Sequence, residues 1–217
     1  MLVIEGPDRT GKSTIAQQIT EEYNTRSEKF AASNHWYYLS YKASAQSDIG
    51  PGKPLGKVLD HLFETDMCRK DPVLFEMVMT AVNYATQAEV VLPLLQRGDN
   101  LVVDRWWPSA LVYGQHQGLD LNYILASKQQ LILPDAMLIV SRDKCLPGRE
   151  EKQNSFDTDE FQIGIRRLYE WLLPWWKENV PTCPAGMLKL GNKDDEAVSR
   201  RRSLRRMRDI VGKEPWK

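Results

Sequence analysis

The sequence predicts an α/β fold, a five-stranded parallel sheet with helices on both faces and a lid segment beside it. Three observations carry that expectation. Short apolar runs alternate with segments whose apolar residues recur at helical spacing, the pattern of strands and helices taken in turn. One run, Leu101-Val102-Val103, has no polar break, which suits a strand buried on both faces of a parallel sheet. A turn carrying Gly6 and Gly11 joins the first run to the first helical segment, at the strand end where such sheets bind ligands.

In chain order, Leu2-Val3-Ile4 is the first strand, broken by Gly6-Pro7 and followed by a helix marked by Ile15, Ala16, Ile19 and Tyr23. Trp36-Tyr37-Tyr38-Leu39 is aromatic enough for a second strand. Ser47 to Pro54, rich in Gly, Pro and Ser, reads as a loop. Phe75 to Gln96 reads as one long helix, with Pro93 late in the run and Arg97-Gly98 at its end. Leu101 to Asp104 is the third strand, and Ala136 to Val140 is the fourth, after a break at Pro134-Asp135. A polar lid is expected over 141–158, then a helix from about Asp159 carrying Phe161, Ile165, Leu168, Tyr169 and Leu172. Met187 to Leu190 is the fifth strand.

The 217 residues suit a single domain, 1–217. Lys plus Arg and Asp plus Glu each number 29, so any basic patch that attracts nucleic acid or membrane must be local. With 42% hydrophobic and 27% charged residues, wholesale disorder is excluded. Cys68, Cys145 and Cys183 are odd in number and lack a CxxC pair, which argues against a disulfide framework or a structural zinc site. No run approaches the roughly 20 apolar residues that span a bilayer. A soluble cytoplasmic protein without membrane partners is expected.

Gly6-Pro7-Asp8-Arg9-Thr10-Gly11-Lys12-Ser13 fits G-x-x-x-x-G-K-[ST] and lies between a strand and a helix, as the phosphate loop requires. The glycines let successive backbone N–H groups turn inward, with the positive end of the helix dipole behind them. Gly6 to Thr14 would therefore hold the phosphates of ATP, Lys12 reaching the β- and γ-phosphates and Ser13 ligating Mg2+. Arg9 would neutralise charge developing during transfer, and Asp8 would face the acceptor. At the end of the third strand Asp104 would hold Mg2+ through water or orient Arg105, whose guanidinium fork suits a phosphate-bearing acceptor.

Val3-Ile4-Glu5-Gly6-Pro7-Asp8-Arg9-Thr10-Gly11-Lys12-Ser13-Thr14, then Val102-Val103-Asp104-Arg105-Trp106, then Ser109 and Tyr113, resemble the thymidylate kinases, P-loop enzymes that phosphorylate dTMP with ATP. The resemblance extends to Pro134-Asp135-Ala136-Met137-Leu138 and to the polar lid with Phe161 and Tyr169 after it. It implies a P-loop kinase fold of the style that carries its catalytic arginine, here Arg9, in the phosphate loop. It also implies that Asp8 contacts the acceptor's sugar hydroxyl, that Arg105 binds the acceptor's phosphate, and that the chain forms a homodimer, with Phe75 to Gln96 as the seam.

Two stretches depart from the family. Where its helix bears a base-directed arginine, this chain has Ala81-Val82-Asn83-Tyr84-Ala85-Thr86-Gln87, so Asn83 would hydrogen-bond a base edge and Tyr84 would stack on it. Where it has a phosphate-binding arginine after the second strand, Lys42 would serve as a point charge. Arg142, Lys144, Arg149 and Lys152 place cations in the lid, Arg149 being the best single catalytic candidate. Trp106 or Trp107 would flank the acceptor ring. Between Arg200 and Arg208 six arginines form one basic side of an amphipathic helix, which either packs on the sheet or tracks DNA.

Three functional readings follow. The leading one is ATP-dependent phosphorylation of a deoxypyrimidine nucleoside monophosphate. The second keeps the kinase chemistry but moves the acceptor to a hydroxymethylated pyrimidine base in DNA, held through the arginine-rich tail. The third is a nucleotide-dependent switch or binding module, which would leave Asp8 and Arg105 without a shared purpose.

Overall fold

The computed structural model describes residues 1–29, 34–40, 52–142, 156, 158–191 and 194–212. Its strands are β1 (Leu2–Glu5), β2 (Trp36–Ser40), β3 (Asn100–Asp104), β4 (Ala136–Arg142) and β5 (Ala185–Leu190). All pair in parallel in the order β2-β3-β1-β4-β5, with β1 at the centre. The helices are α1 (Lys12–Lys29), α2 (Gly52–Glu64), α3 (Met67–Lys70), α4 (Pro72–Thr86), α5 (Leu92–Gln96), α6 (Pro108–His116), α7 (Leu121–Ser127), α8 (Asp159–Asn179) and α9 (Glu196–Val211).

Because strand side chains alternate between faces, each face of the sheet has its own core. Val3, Leu101, Val103, Met137 and Ile139 pack with Trp106, Leu111, Ile124, Ile165, Leu172 and Trp176, so α6, α7 and α8 cover that side. Leu2, Ile4, Val102, Leu138 and Val140 pack with Ile15, Ile19 and Tyr23 of α1 and with Leu204 and Met207 of α9. A third cluster, outside the sheet, joins Leu59 and Leu62 of α2 to Phe75 and Val82 of α4 and to Phe156. Helix starts follow capping rules: Asp71, Asp120, Thr158 and Asp195 each accept a hydrogen bond from a backbone N–H of the first turn.

Four expectations are revised. The long helix begins at Pro72 and is not uniform, since a π turn at Gln87–Val91 separates α4 from α5. Pro93 has no N–H for an α-helical bond to the preceding turn, and the ladder widens just before it. The loop expected up to Pro54 ends earlier, at the start of α2 with Gly52; a proline in the first turn lacks only a donor that would have no helical partner. Ser141 and Arg142 belong to β4 rather than to the lid, because they pair with Lys189 and Leu190 of β5. Arg142 is buried and donates to the Gly191 carbonyl at 2.9 Å, so it is not a lid cation. Positions 143–155 and 157, including Lys144, Arg149 and Lys152, lie outside the described residues, as does Lys42. Finally, α2, α3, α6 and α7 add to the expected elements, although in α2 Leu55, Val58, Leu59, Leu62 and Phe63 do recur at helical spacing.

Candidate active site

The loop after β1 approaches β4 closely enough to need glycine. Gly6 takes φ +139°, and a Cβ there would lie 2.0 Å from the Val140 carbonyl oxygen. Gly11 takes φ +90°, and Arg9 between them takes φ +58°, a left-handed conformation that an L side chain adopts at a cost. Thr10 is fully buried and donates to the Pro7 carbonyl at 3.0 Å, pinning the turn from inside. Lys12 is also buried, and its Nζ donates to the same carbonyl at 2.5 Å. Burial lowers the Lys12 ammonium to about 8; Arg105 pushes the same way, and Asp8, Asp104 and Glu5 oppose them. Thr14 is exposed in the first turn of α1.

Asp104 ends β3 beside this loop. Its Oδ2 accepts from Ser13 Oγ at 2.5 Å, while its Oδ1 is buried with no hydrogen-bond partner among the described residues. Two hard oxygen donors beside a phosphate loop fit Mg2+, which keeps waters and substrate oxygens for most of its shell. Among the described residues no group of three or more His, Cys, Asp or Glu is placed to hold a metal ion.

Arg105, one residue later, takes φ +70°, and its N–H donates to the Ile4 carbonyl at 2.9 Å, which turns the side chain toward the loop. Its NH2 group donates to Asp8 Oδ1 in an ion pair, and its NH1 donates to Tyr169 Oη at 3.0 Å and Ser109 Oγ at 3.4 Å. The guanidinium carbon lies 5.2 Å from the centre of the Tyr113 ring. Burial alone would lower this guanidinium, but Asp8, helped by Tyr113, Tyr169 and Glu5, holds it well above its ordinary value. Asp8 Oδ2 accepts from Tyr113 Oη at 3.0 Å and from Gln162 Nε2 at 3.1 Å, and the Asp8 N–H donates to Gln162 Oε1 at 3.0 Å. Gln162 Nε2 also donates to the Phe156 carbonyl at 2.7 Å. Rings of Phe156 and Phe161 adjoin Tyr113, and Phe63 and Phe75 pack behind Phe156, making one wall apolar.

Behind Arg105 lies Glu5, with no exposed surface. Its Oε1 accepts from the Trp106 N–H at 2.9 Å, and its Oε2 from Ser109 Oγ at 2.6 Å and Tyr169 Oη at 2.8 Å. Burial raises its carboxyl above the usual carboxylate range, against the pull of Arg105 and these hydrogen bonds. Burial likewise holds the Tyr113 and Tyr169 phenols well above their usual value.

The structure thus brings together Gly6, Pro7, Asp8, Arg9, Thr10, Gly11, Lys12, Ser13, Asp104, Arg105 and Tyr113. Trp106 does not join them. It is 2% exposed, packs in the core against α6, and donates from its indole N–H to the Ile132 carbonyl at 3.1 Å; Trp107 donates to the same carbonyl at 3.3 Å. The left-handed turn at Arg105 sends successive side chains to different sides, and the large apolar ring takes the core. Tyr84 is also engaged elsewhere: its hydroxyl donates to the Ser127 carbonyl at 3.2 Å and accepts from the Gln130 N–H at 3.3 Å. Asn83 is 3% exposed, and its amide oxygen has no hydrogen-bond partner among the described residues.

The basic face of α9 is spent largely on the fold itself. Arg200 pairs with Glu22 at 3.0 Å, Arg202 with Asp194 and the Lys189 carbonyl, and Arg206 donates to the Met187 carbonyl at 3.2 Å. Sequence reasoning leaves out Glu5, Gln162 and Phe156 as site residues. Glu5 carries a signal, a carboxylate closing an apolar strand next to the phosphate loop, whereas Gln162 is one polar residue among many on an amphipathic helix.

The family model for thymidylate kinase matches residues 50–186. A thymidylate kinase of Dictyostelium discoideum is 27% identical over 173 residues, covering 78% of this chain and 71% of that one. One from Clostridium novyi is 25% identical over 184 residues, covering 79% and 83%. Among solved structures, the thymidylate kinase of Candida albicans superposes with a TM-score of 0.71 at 16% identity, covering 97% of this chain and 92% of that one. That of Ehrlichia chaffeensis gives 0.67 at 18% identity, covering 95% and 97%.

Proposed function

The chain belongs to the thymidylate kinase family, and from that premise we propose that it acts as a single domain moving the γ-phosphoryl group of ATP onto dTMP. The observation that carries the reading is the convergence of Asp8, Arg105 and Tyr113 on one point beside the phosphate loop. Phosphoryl transfer needs little covalent help from a protein, so positioning and charge neutralisation supply the rate.

In this reading the loop from Gly6 to Thr14 receives the ATP phosphates on its backbone N–H groups. Lys12 leaves the Pro7 carbonyl to meet the β- and γ-oxygens, where phosphate charge restores the proton affinity that burial removes. Arg9 neutralises charge on the transferring group. Ser13 and Asp104 hold Mg2+, which when bound draws charge from the phosphate oxygens. Arg105 receives the acceptor's phosphate, and Asp8 accepts from its sugar hydroxyl. Tyr113 steadies both through its ring and its hydroxyl.

Asn83, buried with an unmatched amide oxygen, is the group we assign to the acceptor's base; an unpaired buried acceptor costs about 1–3 kcal/mol and is a ready partner for a base N–H. Lys42 and Arg149 complete the reading as a phosphate contact and a lid cation, both outside the described residues. The internal bonds of the α9 arginines support a free nucleotide over DNA as acceptor. Exposed Val73, Leu74 and Met77 on α4 support a homodimer seam there. Among the described residues no helix is long and apolar enough to cross a membrane. The three widely spaced cysteines support a reducing, cytoplasmic setting.

The test is ADP release from ATP and magnesium with each deoxynucleoside monophosphate, its hydroxymethyl analogues and modified-pyrimidine DNA in turn. Stimulation by dTMP is expected. Release indifferent to every acceptor would favour a nucleotide switch, and stimulation by DNA alone would move the acceptor to a polymer.

A further inference from the structure

Glu5 is a carboxylate with no exposed surface, and its hydrogen bonds run to Trp106, Ser109 and Tyr169. A carboxylate is not buried so completely without work for its lone pairs. These three partners all belong to the surroundings of Arg105. The Trp106 N–H, the peptide group just after Arg105, donates to Oε1 at 2.9 Å. Ser109 Oγ and Tyr169 Oη donate to Oε2 at 2.6 and 2.8 Å, and the same two hydroxyls accept from Arg105 NH1 at 3.4 and 3.0 Å.

A hydroxyl has one proton and two lone pairs. By drawing both protons to itself, the carboxylate turns the lone pairs of Ser109 and Tyr169 toward Arg105. On the backbone side it holds the peptide that follows the φ +70° turn, a strained conformation that must be maintained by its surroundings. One side chain therefore secures both the main-chain twist and one nitrogen of the guanidinium, while NH2 faces Asp8.

We propose that Glu5 is a positioning residue for the acceptor site, fixing Arg105 for an incoming phosphate through Ser109, Tyr169 and the Trp106 peptide. The inference rests on the reading that Arg105 holds the acceptor's phosphate. Glutamine cannot replace Glu5 even though it has the same shape. Turned one way, its NH2 meets the Trp106 N–H; turned the other, it donates to the two hydroxyls and occupies the lone pairs that Arg105 uses.

The experiment compares Glu5→Gln, the pair Ser109→Ala with Tyr169→Phe, and Arg105→Ala in steady-state kinetics with both substrates varied. Glu5→Gln should raise KM for dTMP by about tenfold or more and leave KM for ATP within about twofold, a split that general loss of folded protein does not produce. The hydroxyl-deleted pair should show the same split, and it keeps the test decisive if Glu5→Gln does not fold. If Arg105→Ala raises KM for dTMP while both other variants stay within about twofold of the parent, the positioning role is overturned and the site reading stands. If Arg105→Ala itself leaves KM for dTMP unchanged, the site reading falls, and the inference with it.

Discussion

The two halves of the site are built by different means. The proposed ATP side is one continuous stretch, Gly6 to Thr14, which would bind through its backbone and whose lysine rests on its own loop through the Pro7 carbonyl. The acceptor side is assembled from β1, the loops after β1 and β3, α6 and α8, where Glu5, Asp8, Arg105, Ser109, Tyr113, Gln162 and Tyr169 bond one another. A backbone cradle depends on φ angles and close approach, so it fails when one glycine changes. A side-chain network depends on matched donors and acceptors, and it fails by degrees.

The largest effect should come from Gly6→Ala. Its Cβ would lie 2.0 Å from backbone that cannot give way, and the φ is one only glycine readily adopts, so a loss on the order of 4 kcal/mol or more is expected in chemical denaturation. Near-parental stability would show that the loop is not the rigid half. Lys12→Ala comes next: the fold should survive by circular dichroism, and kcat should drop about a hundredfold or more. A variant keeping over about a tenth of the rate would remove Lys12 from the mechanism.

On the acceptor side, Arg105→Ala strips the countercharge from two carboxylates, so stability should fall by about 3 kcal/mol alongside the rise in KM for dTMP. An unchanged melting temperature would mean the network is not a unit. The halves should also differ in pH response. With its ammonium lowered to about 8 by burial, Lys12 gives up its proton in the free enzyme as pH rises past that point, so kcat/KM for ATP should decline above about pH 8. The smallest effect belongs to Arg201→Ala with Arg205→Ala: both side chains are exposed on α9, and stability and turnover should stay within about 0.5 kcal/mol. A marked loss of activity would show a third functional surface.

The ATP half was legible from the sequence because its chemistry is local. A strand, a turn that needs glycines, a lysine and a hydroxyl must follow one another at fixed spacing, and Asp104-Arg105 announces itself as charge at the end of an apolar strand. The acceptor half was legible only where a side chain breaks its local pattern, as Asp8 does. Trp106 shows the limit: beside Arg105 in sequence, it points into the core, since Arg105 is itself left-handed and reorients the chain. Tyr84 shows another, its hydroxyl being taken up by the turn after α7, which no periodicity on α4 could foretell.

By itself, then, the sequence determined the parallel α/β architecture and the phosphate-loop motif, and it singled out Lys12 and Arg105 as the proposed cationic anchors. Hydrophobic period and backbone φ requirements are properties of neighbouring residues, and neighbours are what a sequence records. Which polar groups face one another across the sheet edge was decided only in the tertiary structure. Gln162 meets Asp8 across 154 positions and Tyr169 meets Glu5 across 164, and such pairings exist only once packing of the two sheet faces has brought α8 over β1.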